Sequence, residues 1–323
     1  MVSVIIPNYN HAQYLKQRID SVLDQTYQDF EIIILDDCST DHSKQIIEEY
    51  RQHEKVSYII FNETNSGNTF KQWQKGVALA HGEYIWMAES DDAAKNTFLE
   101  TMVTRLLNNN SLGLIFCQSY KYTSDNEITG TWLHYINSNT IYNWENDFVE
   151  NGRNFIKNAM LLQNPIVNAS AVLFKKSLSE QKGFIDTGMT LNGDWLFYIK
   201  CLLVSDVGYI SAHLNFFRVH PNRGSSLNIK NYNNVKEYYF ILNYLFNNIQ
   251  ISSLVKLLAK KNAFNLWYYQ SGGSLINILS NQFITILKNA FIIDKFILVR
   301  FIKNKIIQTL SNVKRHTLGI KHH

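Results

Sequence analysis

The 323-residue sequence is poor in cysteine and proline and has no long apolar run. Its three cysteines, Cys38, Cys117 and Cys201, are odd in number and widely spaced, with no Cys-x-x-Cys pair, which excludes a disulfide framework and a zinc site of that pattern. No run of 18 apolar residues is present to span a bilayer, and because a core strand is predicted from residue 2, we expect no signal peptide. The sequence therefore predicts a cytoplasmic protein. The three prolines reflect coding bias and say little about activity.

Charge is scarce and unevenly distributed. Charged residues make up 18% of the chain and hydrophobic residues 46%, the balance of a folded globular protein. The length suffices for a full core and suggests an additional region beyond a single domain. Residues 283–323 carry six lysines, two arginines and one aspartate, a net charge of +7, whereas the whole chain is only +4. The preceding residues are therefore close to −3.

The cations of residues 283–323 alternate with apolar residues in an interrupted stripe. This pattern predicts an amphipathic helix or helix pair suited to the anionic inner face of the cell membrane. The alternative is a helical subdomain that packs on the preceding domain and leaves a solvated basic face. No recognised nucleic-acid-binding motif accompanies the charge, so we expect no nucleic-acid partner.

Short β-branched runs alternate with helical patterns in the first half of the chain. Strands are predicted at 2–7, 31–37 and 83–88, and helices at 14–23, from the capping cluster at 39–41 to about 52, and at 69–80. This βαβα order indicates a parallel sheet with right-handed crossovers. Ligands of such sheets bind beyond the carboxyl ends of the strands.

Three carboxylates, Glu89, Asp91 and Asp92, follow the third of these strands directly. Carboxylates this close repel one another, and a Mg²⁺ or Mn²⁺ ion shared with substrate phosphates relieves that repulsion. The alternative is that Asp91 or Asp92 caps a helix that begins near Ala93. Asp37 ends another strand at the same predicted edge, which favours a ligand site over capping.

Five segments carry a family resemblance: Val2–Asn10, Ser21–Tyr27, Asp36–Asp41, Gly82–Ile85 and Glu89–Asp92. In this order and at this spacing they resemble the family 2 glycosyltransferases of GT-A fold, closely over residues 2–105 and more loosely to about 227. The resemblance implies an α/β fold, with a doubly wound, mostly parallel sheet flanked by helices and here followed by a C-terminal helical extension. It also implies an inverting transferase that uses a nucleotide sugar, with a UDP-sugar favoured, and divalent Mn²⁺ or Mg²⁺.

The resemblance assigns nucleotide contacts to particular residues. Pro7, Tyr9 and Asp37 would line the pocket for base and ribose, and Asp91 would be shared between the ribose and the metal. The family often has an arginine in the helix after residue 68. Here Lys71 is the nearest cation, and it would contact the diphosphate as a point charge.

The same resemblance predicts the metal ligands. Asp92 would bind the ion directly, Asp91 would complete its carboxylate shell, and Glu89 would stand behind them. His220, in the loop that closes the catalytic region, is a candidate third ligand. Family members often fold such a loop over the donor.

Asp194 opens an apolar helical pattern and matches the acidic residue that serves the family as catalytic base. Inversion requires one carboxylate to take the proton of the attacking hydroxyl. The alternative is that Asp194 only caps the helix. The family often has Glu before this Asp, whereas Gly193 stands here. Arg218 and Arg223 are candidates to offset charge on the departing diphosphate.

These assignments predict a catalytic domain at 1–228 and a helical, basic, amphipathic region at 229–323. The predicted reaction moves one sugar to a glycan or lipid-linked acceptor in bacterial surface polysaccharide synthesis. A nucleotidyltransferase is a poor alternative because residues 8–11 lack a Gly-rich phosphate loop, and a nucleotide-sugar-binding protein without turnover is a second. A processive polymerase is disfavoured because the chain lacks a Gln-x-x-Arg-Trp signature.

Overall fold

The computed structural model describes residues 1–220, 233–270, 281–304 and 306. The chain divides into two compact units, residues 1–227 and 228–323. The first holds a sheet with flanking helices, and the second is helical in its described parts. The predicted domain boundary between 228 and 229 lies outside the described residues and stays a prediction.

One sheet lies at the centre of the first unit. The strands found in its described residues are β1 (Val2–Asn8), β2 (Phe30–Asp36), β3 (Val56–Phe61), β4 (Tyr84–Met87), β5 (Ala93–Ala94), β6 (Leu112–Tyr122), β7 (Ile128–Thr131), β8 (Phe148–Glu150), β9 (Val172–Lys175) and β10 (Asp206–Arg218). Their order across the sheet is β3-β2-β1-β4-β9-β6-β10-β5, with β7 paired to β6 and β8 to β10.

Most of the sheet is parallel. Strands β3, β2, β1 and β4 run together, and Val4 pairs with both Ile32 and Trp86. Strand β9 is antiparallel to both β4 and β6, and β10 is parallel to β6, so β6 and β10 run in the same direction as the first four strands. The predicted mixed, mostly parallel sheet is confirmed, and the carboxyl ends of β1, β4 and β10 meet at one edge.

Helices cover the sheet and supply the rest of its core. They are α1 (Ala12–Leu23), α2 (Ser43–Glu49), α3 (Thr69–Leu79), α4 (Phe98–Leu107), α5 (Leu133–Ile136), α6 (Gly152–Phe155), α7 (Lys176–Ser179) and α8 (Gly193–Leu202). The side chains of β1 and β2 are buried throughout, as expected for strands covered on both faces. Leu15, Ile19 and Val22 of α1 pack in the same core as Val4 and Ile32.

Two local predictions are wrong. No helix begins near Ala93, because Ala93 and Ala94 pair with Phe216 and Asn215 as strand β5, and the helix begins at Phe98. The sequence from Val167 to Phe174 also predicts a strand, but the strand begins only at Val172. In both places a long-range or side-chain hydrogen bond determines the local conformation: Asp92 accepts from the backbone N–H of Arg218, and Asn168 accepts from that of Ala171, which closes a turn of 3₁₀-helix.

The second unit contains α9 (Asn233–Asn248), α10 (Ser253–Gln270) and α11 (Asn281–Ile293), and residues 297–304 are also helical. The predicted C-terminal helices are thus confirmed. One face of the last two helices is buried, and Phe301 lies between the rings of Trp267 and Tyr268 at centroid distances of 5.3 and 5.4 Å. Asp294 is buried and accepts a 2.7 Å hydrogen bond from Arg300 Nε.

The opposite face of these two helices is apolar and exposed. We call it the exposed stripe, and it consists of Ile292, Phe296, Val299, Ile302 and Ile306, each more than half exposed. The lysines at 295 and 303 are also exposed beside it. The helices of the described residues include none with the length and apolar character needed to cross a bilayer.

Candidate active site

The residues that follow β1 and β4 and those at the end of β10 meet at the carboxyl edge of the sheet. His11, Asp91 and His220 each present one ligand atom there, and these atoms lie within 4.8 Å of one another. His220 Nε2 is 3.0 Å from Asp91 Oδ2. This cluster, which we call the His-Asp-His cluster, joins positions up to 209 residues apart in the sequence.

Neighbouring side chains hold both imidazoles. His11 Nδ1 lies 2.9 Å from Ser90 Oγ, and the ring of Tyr14 lies 5.2 Å from that of His220. The Arg218 guanidinium stacks on Tyr14 at 4.2 Å. Among the described residues, His220 Nδ1 is buried without a hydrogen-bond partner. The histidines are therefore positioned by packing and one hydroxyl, without a protein partner for every ring nitrogen.

The electrostatics of this cluster favour the protonation states of metal ligands. Burial lowers the pKa of His11 despite the nearby charge of Asp91, which favours the neutral imidazole. Burial acts to raise the pKa of Asp91, but the hydrogen bond to His220 and the charges of His11 and His220 outweigh it, and the pKa is lowered. An ionised carboxylate beside two imidazoles is a donor set for a divalent cation.

Asp92 lies behind the cluster and is not part of it. The side chain is 2% exposed, and its oxygens accept hydrogen bonds from the Arg218 backbone N–H at 2.9 Å and from Asn168 Nδ2 at 3.4 Å. Burial and the charge of Asp91 raise its pKa. The Asp92 oxygens bind the end of β10 and the turn before β9, and the role of Asp92 as a direct metal ligand stays a prediction. Asp91 and Asp92 do not cap a helix, since β5 follows them.

Arg218 has a structural role, and the expectation that it contacts a diphosphate is wrong. Its side chain is fully buried and donates to the backbone of Asp91, Thr123 and Ser124 and to the side chains of Gln17 and Asn126. Each of its three nitrogens already has an acceptor. The other candidate, Arg223, lies outside the described residues.

A second buried arginine supports the turn that carries the carboxylates. Arg18 is fully buried on α1, its Nε donates to the backbone oxygen of Glu89 at 2.9 Å, and its guanidinium lies 5.6 Å from the ring of Trp86. The charges of Asp92, Asp91 and Glu89 oppose the lowering of its pKa by burial. Arg18 was not predicted as a buried residue. Its position between Leu15 and Ile19, on the apolar face of the predicted helix, is a sequence feature that indicates a buried cation.

Glu89 is held by hydrogen bonds on both its side chain and its backbone, and its predicted place behind the metal ligands stays a prediction. Trp73 Nε1 donates to Glu89 Oε1 at 3.0 Å, and the backbone N–H of Glu89 donates to Ser170 Oγ at 3.1 Å. Burial and the charge of Asp91 raise the pKa of Glu89 to about 8. In the metal-free protein at neutral pH the group is therefore mostly protonated.

The predicted nucleotide-binding residues lie around the ends of β1 and β2. Pro7 is buried in β1, and Tyr9, just beyond that strand, is 46% exposed. Asp37 is 5% exposed and its carboxylate accepts hydrogen bonds from Asn62, Ser66 and Gln72, with two of the four coming from Ser66. This carboxylate fixes the loop before α3, and its contact with a nucleoside stays a prediction.

Lys71 lies at the start of α3 next to the same loop. Its ammonium donates to the Ser66 backbone oxygen at 3.1 Å, and the side chain is exposed. An exposed lysine that already binds its own loop can still turn toward an anion. Its predicted diphosphate contact is neither supported nor opposed by this geometry.

Asp194 lies in the first turn of α8, where Asn192 is the N-cap residue, so the capping alternative is wrong. Its Oδ1 accepts from the Trp195 backbone N–H at 2.7 Å. The ring of Phe197 in α8 lies 6.2 Å from that of Trp73, which donates to Glu89, so α8 lies near the carboxylate turn. A Cβ on Gly193 would lie 2.5 Å from the ring of Phe70, which explains why glycine precedes Asp194 here.

Together these residues provide a cation site and a separate carboxylate at one edge of the sheet. A cation held by the His-Asp-His cluster can neutralise phosphate oxygens, and Asp194 can accept a proton from a hydroxyl nucleophile. No metal-binding role is predicted for His11 from the sequence. Its partnership with His220 depends on tertiary contacts that no local pattern indicates.

Sequence comparison identifies a family. The sequence model described as Glycosyl transferase family 2 matches residues 3–176, and Asp194 and His220 lie beyond the matched part. A putative teichuronic acid biosynthesis glycosyltransferase of Bacillus subtilis, TuaG, is 38% identical over 100 residues. That match covers 31% of this chain and 39% of the Bacillus protein, so it spans well under two thirds of that relative's length.

Two solved structures have the same fold. TarS 1–349 of Staphylococcus aureus has a TM-score of 0.67 at 17% identity, covering 100% of this chain and 93% of that one. It has also been solved in complex with UDP and with UDP-GlcNAc. The mannosyltransferase PcManGT of Pyrobaculum calidifontis, in complex with GDP-Man and Mn²⁺, has a TM-score of 0.55 at 14% identity, covering 94% and 87% of the two chains.

Proposed function

Because the chain belongs to glycosyl transferase family 2, we propose that its residues 1–228 form a catalytic domain that transfers one sugar, with inversion, from a nucleoside-diphosphate sugar to an acceptor hydroxyl. The observation that carries this proposal is the His-Asp-His cluster at the carboxyl edge of the sheet, with Asp194 on a separate helix nearby. A diphosphate requires charge neutralisation on one side of the reacting carbon, and an inverting attack requires a base on the other.

Tyr9 and the loop held by Asp37 form the proposed nucleoside pocket. Tyr9 offers an exposed ring for a base, and Pro7 lies directly before it in β1. A nucleoside would reach the Asp37 carboxylate only by replacing one of its donors from Asn62 or Ser66. A UDP-sugar is the favoured donor, since the TarS fold binds UDP and UDP-GlcNAc, although the GDP-Man complex of PcManGT shows that this fold also accepts another base.

Asp91 and His220 are the residues that would hold a divalent metal, with the imidazole of His11 beside them. The donor set fits such an ion, because an ionised carboxylate and two imidazoles converge within 4.8 Å. When bound, the metal would supply Lewis-acid neutralisation of the donor diphosphate. Asp92 would contribute through the position of the Arg218 backbone, and Lys71 would add a mobile positive charge at the loop.

Asp194 is the proposed catalytic base. Its carboxylate takes the proton of the acceptor hydroxyl while the oxygen forms a bond to the anomeric carbon. The bond between that carbon and the phosphate oxygen breaks, and the nucleoside diphosphate leaves with the electron pair. Gly193 allows this part of α8 to lie against Phe70, so that Asp194 sits at the first turn, where the helix N-terminus favours an ionised carboxylate.

The acceptor is proposed to be a lipid-linked glycan at the cytoplasmic face of a membrane. Two features support this class of acceptor: the exposed stripe of the second unit with its flanking lysines, and the TuaG relative, whose name refers to teichuronic acid biosynthesis. The helical unit would hold the enzyme at the surface where its acceptor is anchored.

One experiment separates donor binding from turnover. Thermal shift with UDP, GDP, CMP and dTDP, each with and without Mn²⁺, is compared for the wild type, Asp91→Asn, Asp194→Asn and the exposed-residue control Asp125→Asn. We expect metal-dependent stabilisation by one nucleotide in the wild type, Asp194→Asn and the control, with loss in Asp91→Asn.

The same nucleotide, as its sugar derivative, is then used to measure transfer. Asp194→Asn should bind the donor normally and lose about 10²–10⁴-fold in transfer rate. Retention of most of the rate in this variant would refute the base assignment. If no nucleotide stabilises the wild type with any metal, the transferase proposal itself is refuted.

A further inference from the structure

The imidazole of His11 is the least expected member of the His-Asp-His cluster. We propose that His11 is a direct metal ligand, and that the resulting site of two imidazoles and one carboxylate selects Mn²⁺ and similar transition-metal ions over Mg²⁺. The inference rests on the proposed function, in which a divalent metal binds beside the donor diphosphate. It goes further by assigning a third protein ligand and a metal preference to this chain.

The position of His11 follows from the loop between β1 and α1. The residue stands immediately before α1, its backbone oxygen accepts from the N–H groups of Tyr14 and Leu15, and its ring lies 5.7 Å from that of His220 in an edge-on arrangement. The first turn of the helix thus fixes the His11 backbone. Its ligand atom lies within 4.8 Å of those of Asp91 and His220.

The second nitrogen of the ring has the kind of partner that metal-binding histidines use. His11 Nδ1 is 2.9 Å from the hydroxyl of Ser90. With Nδ1 held in this way, Nε2 is the nitrogen assigned to the metal in this proposal. Ser90 directly precedes Asp91, so one turn supplies both a ligand and the group that orients another ligand. Hydrogen bonds of this type fix the tautomer and the direction of a ligating imidazole.

His220 shows that the cluster is incomplete as a set of hydrogen bonds. It is 5% exposed, and its Nδ1 has no hydrogen-bond partner among the described residues. Among the described residues, the three side chains make only one close contact with one another, between His220 Nε2 and Asp91 Oδ2. A divalent cation bound between them would be shared by ligand atoms that lie within 4.8 Å of one another.

The composition of the site determines which cation it prefers. Mg²⁺ takes oxygen ligands in a near-ideal octahedron and dehydrates reluctantly, whereas imidazole suits transition-metal ions. A site of Asp91 alone with waters would bind Mg²⁺ and Mn²⁺ similarly. With two nitrogen ligands we expect Mn²⁺ to bind at least about tenfold more tightly than Mg²⁺.

The test measures Mn²⁺ binding to the full chain by electron paramagnetic resonance, with Mg²⁺ as competitor. The variants are His11→Gln and, as a matched control, His42→Gln, which changes an exposed histidine at the start of α2. Electron spin-echo modulation counts the nitrogens bound to Mn²⁺. We expect two bound nitrogens in the wild type and in the control, but one in His11→Gln. We also expect His11→Gln to lower the affinity for Mn²⁺ at least about tenfold and to reduce the preference for Mn²⁺ over Mg²⁺ to a similar extent.

A second variant keeps the test decisive if His11→Gln fails to fold. Ser90→Ala removes only the orienting hydroxyl and should keep both nitrogens while weakening Mn²⁺ binding several-fold. One nitrogen in the wild type, or unchanged Mn²⁺ affinity in both variants, would overturn the assignment of His11 while leaving the proposed transfer reaction intact. Failure of the proposed function would instead appear in the thermal-shift experiment, as a wild-type protein that no nucleotide stabilises.

Discussion

At the scale of single residues, the carboxylates after β4 have different roles because their surroundings differ. Asp91 faces two imidazoles and is ionised, Asp92 accepts hydrogen bonds from the end of β10, and Glu89 accepts one from Trp73 while burial raises its pKa to about 8. Of these three acids within four positions, Asp91 is therefore the proposed ligand, Asp92 a structural anchor and Glu89 a mostly protonated hydrogen-bond acceptor. The difference comes from desolvation and from the identity of each partner.

The raised pKa of Glu89 predicts how stability depends on pH in the metal-free protein. Between the ordinary value of 4.5 and about 8, the unfolded chain loses this proton while the folded chain keeps it. The contribution of Glu89 to the free energy of unfolding is therefore largest below pH 4.5. It falls as the pH rises from 4.5 to about 8, by a few kcal/mol in order of magnitude. Glu89→Gln, which keeps the acceptor for Trp73, should remove the loss.

The measurement is the melting temperature in EDTA at pH 5 and pH 8.5. Glu89→Gln should raise the melting temperature clearly at pH 8.5 and little at pH 5. Glu127→Gln, at the exposed turn between β6 and β7, is the matched control and should shift both values equally. An equal shift at the two pH values for Glu89→Gln would show that Glu89 ionises normally in the fold.

At the scale of helices and strands, the close contact between α3 and α8 positions the proposed base. A Cβ at Gly193 would approach three atoms of the Phe70 ring at 2.5–2.8 Å, so a side chain there must push α8 away from α3. Gly193→Ala should destabilise the protein by about 1–3 kcal/mol. Because Asp194 moves with the helix, transfer should fall by up to about 10²-fold, while nucleotide binding persists.

A double-mutant cycle tests whether Phe70 is the cause. Phe70→Leu in the Gly193→Ala background should recover part of the stability, with a coupling of at least about 0.5 kcal/mol by urea denaturation. Gly188→Ala is the control, since a Cβ there meets only the Asp186 side chain, at 3.2 Å. Strictly additive effects of Gly193→Ala and Phe70→Leu would mean that this contact does not position α8.

Elements with a continuous apolar run could be predicted from sequence, whereas those fixed by distant partners could not. Strands β1, β2 and β4 are buried on both faces and read directly as β-branched runs that end at polar residues. The segment after Asp92 reads as a helix, yet it forms β5 because β10, more than 120 residues later, supplies its hydrogen bonds. The same holds for His11 and His220, whose proximity depends on the order of the strands.

At the scale of the whole molecule, the two units combine a catalytic sheet with a helical region that displays the exposed stripe. The helices that carry the exposed stripe also have a buried face, on which Phe301 contacts Trp267. Deleting residues 283–323 would therefore remove core contacts of the second unit as well as the stripe. Substitution of the exposed side chains alone is therefore the sharper test of membrane binding. It leaves the packing of Ile297 and Phe301 unchanged.

We expect the full chain to sediment with vesicles that contain phosphatidylserine, and less with neutral vesicles or at high salt. Each apolar side chain that becomes fully buried contributes about 1.5–3 kcal/mol, and each lysine near an anionic surface about 1 kcal/mol. Substituting glutamine for Ile292, Phe296, Val299 and Ile302 should therefore abolish sedimentation and leave nucleotide binding intact.

The matched control substitutes glutamine for four exposed apolar residues of the first unit, Leu107, Ile128, Ile141 and Val204. Equal sedimentation of both variants would exclude the exposed stripe as the membrane contact, whereas loss in the stripe variant alone would show that the second unit binds the membrane surface.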